Sequence, residues 1–161
     1  MKLKKTLVLI LLLLVTFLSA QEKLQRHSFS LIVGGPASLF SFEYDYSFIK
    51  NEKYSISLNM GAGSVFADFS FPIGINFSIG NKHQFLCGFH YVPTLIDNLW
   101  ADIDSEENWS LFHWASPRIG YREQMKIWKM NVFAQIYFSP VFQFEYDRII
   151  PWGGLGLGIN F

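Results

Sequence analysis

Large apolar residues alternate with small or polar residues along most of the chain, which is the two-residue period of a β-strand. The clearest segment sets Phe40, Phe42, Tyr44, Tyr46 and Phe48 against Ser41, Glu43, Asp45 and Ser47. The last ten residues repeat the pattern, with glycine or asparagine between Leu155, Leu157, Ile159 and Phe161. Each such segment predicts a strand with one large apolar face and one small or polar face.

Eight segments of about ten residues follow this pattern, beginning near Ser28, Phe40, Tyr54, Phe69, Gln84, Ala115, Trp128 and Trp152. Ten residues is about the length of a tilted strand that crosses a bilayer. The connections at 50–53, 80–82 and 123–126 are short, whereas 93–109 and 139–151 are long. We therefore predict an all-β fold for residues 28–161, namely an eight-stranded antiparallel up-and-down transmembrane β-barrel with a plugged polar lumen.

Two features do not fit this pattern simply. Pro117 lies inside the sixth segment, where proline lacks a donor for the sheet, so we expect either a bulge there or a strand that begins later. The alternation also continues through 142–146, which we interpret as the seventh strand projecting beyond the membrane, since a ninth strand would spoil the even count.

Residues 1–20 predict a secretory signal peptide, because three early lysines precede an apolar run that ends near Leu18, followed by Ser19-Ala20. A retained membrane anchor is the alternative, but the run is shorter than the roughly 20 residues that a helix needs to cross. Cleavage near Ala20 leaves a periplasmic leader at 21–27. The mature chain then has 10 basic and 13 acidic side chains, a net charge of −3, which argues against a nucleic-acid partner.

The polar face of the strands collects charged residues of both signs: Glu43, Asp45, Arg118, Arg122 and Lys129. If the apolar face contacts lipid, these residues face a lumen that in an eight-stranded barrel is only wide enough for side chains. We predict that they form a buried ion-pair network that fills the lumen, and a gate or an ion path is the alternative. The small side of the last strand, at Gly154, Gly156 and Gly158, leaves room for Phe133 and Tyr137.

The long connection at 93–109 carries an acidic cluster consisting of Asp97, Asp102, Asp104, Glu106 and Glu107. Its alternating carboxylates resemble part of a calcium loop, but the glycine that such a loop needs at its sixth position is replaced by Glu107. We therefore expect a solvated outer loop, and we predict no metal site and no cofactor. Weak divalent bridging to lipopolysaccharide phosphates is the alternative.

Serine and histidine are the residues to test for lipid-hydrolase chemistry. His113 and Ser116 are three positions apart, which places them on opposite faces of a strand. His90 has no serine of matching parity in its own segment. We therefore assign no catalytic residues.

The predicted signal peptide, the eight alternating segments and the terminal Phe161 resemble the small eight-stranded outer-membrane barrels of the OmpA-transmembrane and OmpX type. The resemblance covers nearly the whole mature chain. It implies location in the cell outer membrane among lipids and lipopolysaccharide, and insertion by the barrel-insertion machinery with Phe161 as the signal.

Such families include structural proteins, adhesive proteins and lipid enzymes, so the resemblance alone does not give a function. The leading hypothesis is a structural or surface-interaction role through the outer loops. The alternatives are a lipid-modifying enzyme of the lipid A deacylase or acyltransferase type and a soluble lipocalin-like carrier, whose apolar face would lie inside.

Overall fold

The computed structural model describes residues 25–35, 39–65, 68–97 and 109–161. Their regular secondary structure is entirely β: β1 (His27–Gly34), β2 (Phe40–Lys50), β3 (Tyr54–Val65), β4 (Asp68–Ser70), β5 (Ile73–Ile79), β6 (His83–Asp97), β7 (Trp109–Ile127), β8 (Met130–Phe138), β9 (Val141–Gln143), β10 (Arg148–Ile150) and β11 (Gly153–Asn160). The predicted signal peptide and the first four leader residues lie outside these ranges. Within them, no helix is long and apolar enough to cross a membrane.

The eleven elements form eight barrel strands, because three strands are interrupted without a change of register. β4 and β5 continue one ladder across Phe71-Pro72, β8 and β9 continue one across Ser139-Pro140, and β10 and β11 continue one across Pro151-Trp152. A proline stands at each break, where its missing N–H prevents a regular ladder. The eight-strand count is therefore preserved.

The barrel is closed by antiparallel pairing of β1 with β11, from Ser28 opposite Asn160 to Gly34 opposite Gly154. His27 and Phe161 exchange backbone hydrogen bonds of 2.9 and 2.7 Å, so the start of β1 and the end of the chain meet. The short turns at 51–53, 80–82 and 128–129 lie at this same end, which we call the turn end. The opposite end, where three of the four connections are longer, is the loop end.

The pairing register gives the slope of the strands. Stepping from Tyr54 through each paired residue in turn leads to Ile79, Phe85, Tyr121, Ile136, Leu155, Val33 and Phe40, and returns to β3 at Ser64. With 3.3 Å per residue and about 4.7 Å between strands, a ten-residue offset over eight strands tilts them by about 41° and sets a barrel radius of about 8 Å. A barrel this narrow has room inside only for side chains.

The two faces of the barrel wall differ in chemistry. Most large apolar side chains of the wall point outward, and Ile75, Phe89 and Leu155 are each more than half exposed. The inward positions are mainly polar, and the most buried of them are Ser30, Glu43, Asn59, Ser70, His90, Thr94, Ser116 and Ser139. A soluble domain buries its apolar residues, so this barrel has the opposite arrangement.

Three predicted boundaries were wrong. The polar segment 123–126 continues β7, and the turn is Trp128-Lys129. The predicted loop at 93–109 begins with the end of β6, and β7 already includes Trp109. The connection at 139–151 contains β9, which continues the seventh barrel strand as the alternation predicted, followed by a turn at 144–147 and β10. In each case the ladder continues through charged or proline-containing residues that resemble turn sequence.

Pro117 requires neither a bulge nor a later strand start. It lies opposite Phe89 in an unbroken β6–β7 ladder. On its other side, pairing with β8 ends at Ile119 and pairing with β9 begins at Ala115. Pro117 thus occupies the gap left by the break at Ser139-Pro140.

Candidate functional site: the polar lumen

The centre of the lumen is an ion pair between strands on opposite sides of the barrel. Arg118 of β7 donates two hydrogen bonds to Glu43 of β2, with Nη1–Oε2 and Nη2–Oε1 distances of 2.9 and 2.8 Å. The two side chains are only 3% and 1% exposed. Because the guanidinium fork matches the carboxylate and both side chains are buried, this is the strong, orienting form of an ion pair.

A second carboxylate, that of Asp45, is connected to Glu43 by asparagines on neighbouring strands. Asn59 Nδ2 donates to both Glu43 Oε2 and Asp45 Oδ1, at 3.1 Å each. Asn76 Nδ2 donates to the same Asp45 oxygen at 2.9 Å. These amides compensate for the desolvation of two adjacent acids. Sequence reasoning missed both asparagines, although each shares the inward parity of its strand.

The second arginine has a different environment. Arg122 Nη2 lies 3.7 Å from Asp45 Oδ2. Its Nε and Nη2 donate to Gln135 Oε1 at 3.0 and 2.8 Å. The Arg122 guanidinium also lies over the Phe133 ring, 4.1 Å from its centroid. In the same way, the Arg118 guanidinium lies over the Tyr137 ring, 4.3 Å from its centroid. Two acids, two arginines and two aromatic rings therefore occupy the middle of the lumen with no net charge.

The glycines of β11 make room for these rings. A Cβ on Gly158 would lie 2.3 Å from Phe133 Cζ, and one on Gly154 would lie 2.6 Å from the Tyr137 hydroxyl. Overlap at these distances with ring atoms in a narrow lumen requires the rings to move. The small face of the last strand therefore admits large side chains from β8.

Lys129 does not belong to the cluster, contrary to the sequence-based prediction. It is exposed in the two-residue turn between β7 and β8. Residue parity assigns a face only within a strand, and Lys129 precedes the first residue of β8. Of the five predicted lumen charges, the structure brings together Glu43, Asp45, Arg118 and Arg122.

Polar atoms without protein partners remain beside the network. In the described part of the chain they include Arg118 Nε, the Tyr137 hydroxyl and both ring nitrogens of His90. A cavity of about 20 Å³, bordered by Ser28, Asp45, Lys50 and Arg122 among others, lies towards the turn end. That volume suits one or two waters and no larger ligand. The lumen is crowded and polar along this section.

His90 and Ser116 lie opposite each other on β6 and β7. Both are fully buried. Ser116 Oγ lies 2.7 Å from Ser139 Oγ and donates to the Pro140 carbonyl at 3.0 Å, so it is oriented away from the imidazole. A nucleophile needs a hydrogen-bonded base and access to its substrate, and this pair has neither.

Among the described residues, no group of three or more His, Cys, Asp or Glu side chains is placed to hold a metal ion.

Three histidine–tyrosine pairs lie on the outer surface of the barrel. His27 Nδ1 and His83 Nδ1 each lie 2.5 Å from a hydroxyl, that of Tyr44 and Tyr121 respectively, at the turn end. His113 and Tyr91 form the same kind of pair at the loop end, with ring centroids 5.9 Å apart. Aromatic side chains with a polar tip prefer the boundary between apolar and aqueous surroundings.

Two other predicted sites are only partly within the described residues. Phe161 lies at the turn end, with its ring stacked on His27 at 5.8 Å. In the acidic cluster, only Asp97 falls within the described backbone, as the last residue of β6. The positions 102, 104, 106 and 107 lie outside the described residues.

No protein-family model and no curated protein matches the chain. Its structure is similar to the crystal structure of the N-terminal β-barrel domain of Pseudomonas aeruginosa OprF, with a TM-score of 0.53 and 12% sequence identity. The similarity covers 84% of this chain and 95% of that domain. At this identity the similarity concerns the fold alone. Together with the closed ladder, it identifies the fold as a small eight-stranded antiparallel barrel.

Proposed function

We propose that the protein is an outer-membrane β-barrel protein with a filled, non-conducting lumen, which acts through its loop-end surface. The observation that carries the proposal is the apolar outer face, which continues around all eight barrel strands. Exposed apolar patches of more than a few hundred Å² mark contact with lipid or protein. A band that encircles a closed barrel suits the hydrocarbon region of a bilayer.

The histidine–tyrosine pairs support a position for that band. On β6 and β7, the pair His83–Tyr121 lies eight residues from the pair Tyr91–His113 along each strand. At the tilt derived from the register, eight residues correspond to an axial height of about 20 Å. The apolar band of outer-membrane barrels is about 25 Å tall, with aromatic residues at both boundaries.

The lumen network supports a filled barrel. The Glu43–Arg118 pair crosses the central section, and the rings of Phe133 and Tyr137 cover the two guanidinium groups. An ion that passed through this section would have to displace a buried, doubly hydrogen-bonded pair. Displacing the pair would leave two buried charges without their partners, which opposes steady conduction.

A surface role is supported by the part of the barrel that extends past the Tyr91–His113 level. The ends of β6 and β7, together with β9 and β10, project there as a small sheet. Phe112 stacks on Tyr146, with ring centroids 5.7 Å apart, whereas Leu111, Phe144 and Ile149 are more than half exposed. In the proposed orientation this sheet stands at the outer surface, available to other envelope or surface components.

The proposal includes removal of residues 1–20 during secretion and insertion by the barrel machinery with Phe161 as its signal. It is tested by expressing the full chain in a Gram-negative host and separating the membranes by density. We expect the mature protein in the outer membrane, resistant to a urea wash, and migrating differently on gels before and after boiling. Recovery in the soluble fraction without detergent would overturn the proposal.

Two further measurements test the filled lumen and the enzyme alternative. The refolded protein is expected to show no steady conductance in planar bilayers, whereas regular single-channel steps would overturn the filled lumen. The lipid A and phospholipid profile of the host is expected to be unchanged by overexpression. Altered acylation that depends on His90 or His113 would instead identify a lipid-modifying enzyme.

A further inference from the structure

The charges at the two ends of the barrel have opposite sign. Among the described residues, the turn end exposes five basic side chains, namely Arg26, Lys53, Lys82, Lys126 and Lys129. Its acidic side chains are Glu52 and Glu123, and Glu123 lies 3.9 Å from His83 Nδ1. The described loop-end residues include Asp68, Glu145 and Asp147, against one base, Arg148. The basic surplus is therefore confined to the turn end.

The five bases belong to four separate segments of the chain, which the fold brings to one rim. Arg26 precedes β1, Lys53 and Lys82 lie in two of the short turns, and Lys126 and Lys129 flank the tip of the β7–β8 hairpin. From the register, these positions lie closer to the turn-end opening than Tyr44 and Tyr121 do. They are therefore on the headgroup side of a bilayer whose hydrocarbon ends at these tyrosines.

The tip of the β7–β8 hairpin adds a second, independent feature. Trp128 is 93% exposed, and Ile127 and Met130 beside it are also exposed. Trp128 has a φ of +57°, in a two-residue turn whose left-handed position favours glycine. A bulky ring held in water at a backbone position unfavourable to it suggests a function for the ring. Tryptophan beside lysines is the combination found where proteins meet lipid headgroups.

We propose that the turn end is a binding surface for anionic phospholipid headgroups. This rests on the proposed function, because it requires the barrel to span a bilayer. The exposed bases of the rim attract the phosphate and carry no lipid-chain specificity, while Trp128 inserts among the headgroups. The occupant is a lipid leaflet because the bases are distributed around the rim and the apolar band lies on their loop-end side.

The experiment compares two lipids on the same inserted protein. The mature chain is refolded into phosphatidylcholine vesicles, and spin-labelled phosphatidylglycerol and phosphatidylcholine are added separately to measure their association with the barrel surface. In 10 mM salt we expect about fivefold preference for phosphatidylglycerol, the factor supplied by one effective cation at an anionic surface. The preference should fall towards unity in about 1 M salt, where the screening length is only about 3 Å.

Substitutions assign the effect to the rim. The quadruple variant K53Q/K82Q/K126Q/K129Q is expected to lose the preference, whereas the corresponding lysine-to-arginine variant retains it. Arg148→Gln removes one positive charge at the loop end and serves as the matched control, with no change expected. Equal association of both lipids with the inserted unmodified protein would overturn the inference and leave the proposed function intact. Failure to insert into phosphatidylcholine would instead contradict the proposed function.

A soluble acidic partner is distinguished by adding polyglutamate to the inserted protein. The inference predicts that polyglutamate binding is weak and insensitive to the quadruple substitution. Tight polyglutamate binding that requires the four lysines, together with equal association of the two lipids, would show that the rim serves a soluble acidic partner. That result would overturn the lipid assignment.

Discussion

Removing one partner of the Glu43–Arg118 pair should destabilise the barrel far more than removing both. Two unit charges 2.8 Å apart attract by about 6 kcal/mol at an effective dielectric constant of 20. Either single variant, Glu43→Met or Arg118→Met, leaves the other charge buried without its main partner. We expect each to lower the free energy of unfolding by about 3–5 kcal/mol. In the double variant no uncompensated charge remains at these two positions, so its stability should lie near that of the unmodified protein.

The assay is equilibrium urea unfolding in lipid vesicles, followed by tryptophan fluorescence and by gel migration before and after boiling. The double-mutant cycle should give a coupling energy of at least about 3 kcal/mol. Single losses below about 1 kcal/mol, typical of exposed ion pairs, would refute the reasoning. The reasoning would also be refuted if the double variant lost as much unfolding free energy as the two single variants together, because the two charges would then be screened from each other by water.

Three further substitutions, the first with a matched control, test separate parts of the account by the same unfolding assay. Gly158→Val should cost at least about 1–3 kcal/mol because its Cβ would overlap the Phe133 ring, whereas the outward Leu157→Val should cost less than about 1.5 kcal/mol. Leu155→Arg should cost about 2–4 kcal/mol in a bilayer; a change within about 0.5 kcal/mol would indicate that this face meets water. Trp128→Gly should increase stability in detergent micelles by about 1 kcal/mol, since it relieves the left-handed turn, and a loss there would contradict that strain.

The face of each strand could be predicted from the sequence because parity is a local property. Glu43 and Asp45 on β2, and Arg118 and Arg122 on β7, have the inward parity of their strands, and barrel closure then brings them together. Their hydrogen-bond partners were harder to predict. Whether Asn59 or Ser57 reaches a carboxylate depends on the register between strands, which the alternation pattern does not determine.

Strand ends were predicted less well, for a physical reason. Charged side chains at 123–126 resemble a turn, yet a strand that extends past its neighbour at the rim is solvated and tolerates them. Proline has a different effect, because it interrupts a strand without ending it. Pro72, Pro140 and Pro151 interrupt the ladders but leave the register unchanged, so each barrel strand resumes beyond the break. Lys129 shows the remaining error, because parity was extended into a turn.

The central claim is that the apolar outer face contacts lipid, and Cys87 offers a direct test. It is the only cysteine of the chain and lies on the outer face of β6, paired with Phe77 and Ile119. A nitroxide attached to Cys87 in the bilayer-inserted protein reports by electron paramagnetic resonance whether oxygen or a water-soluble nickel chelate collides with it more often. The control carries the nitroxide on the turn, as Asn81→Cys in a Cys87→Ala background. We predict frequent collisions with oxygen and few with the chelate at position 87, and the reverse at position 81. Greater access of the chelate at position 87 would contradict a lipid-facing barrel.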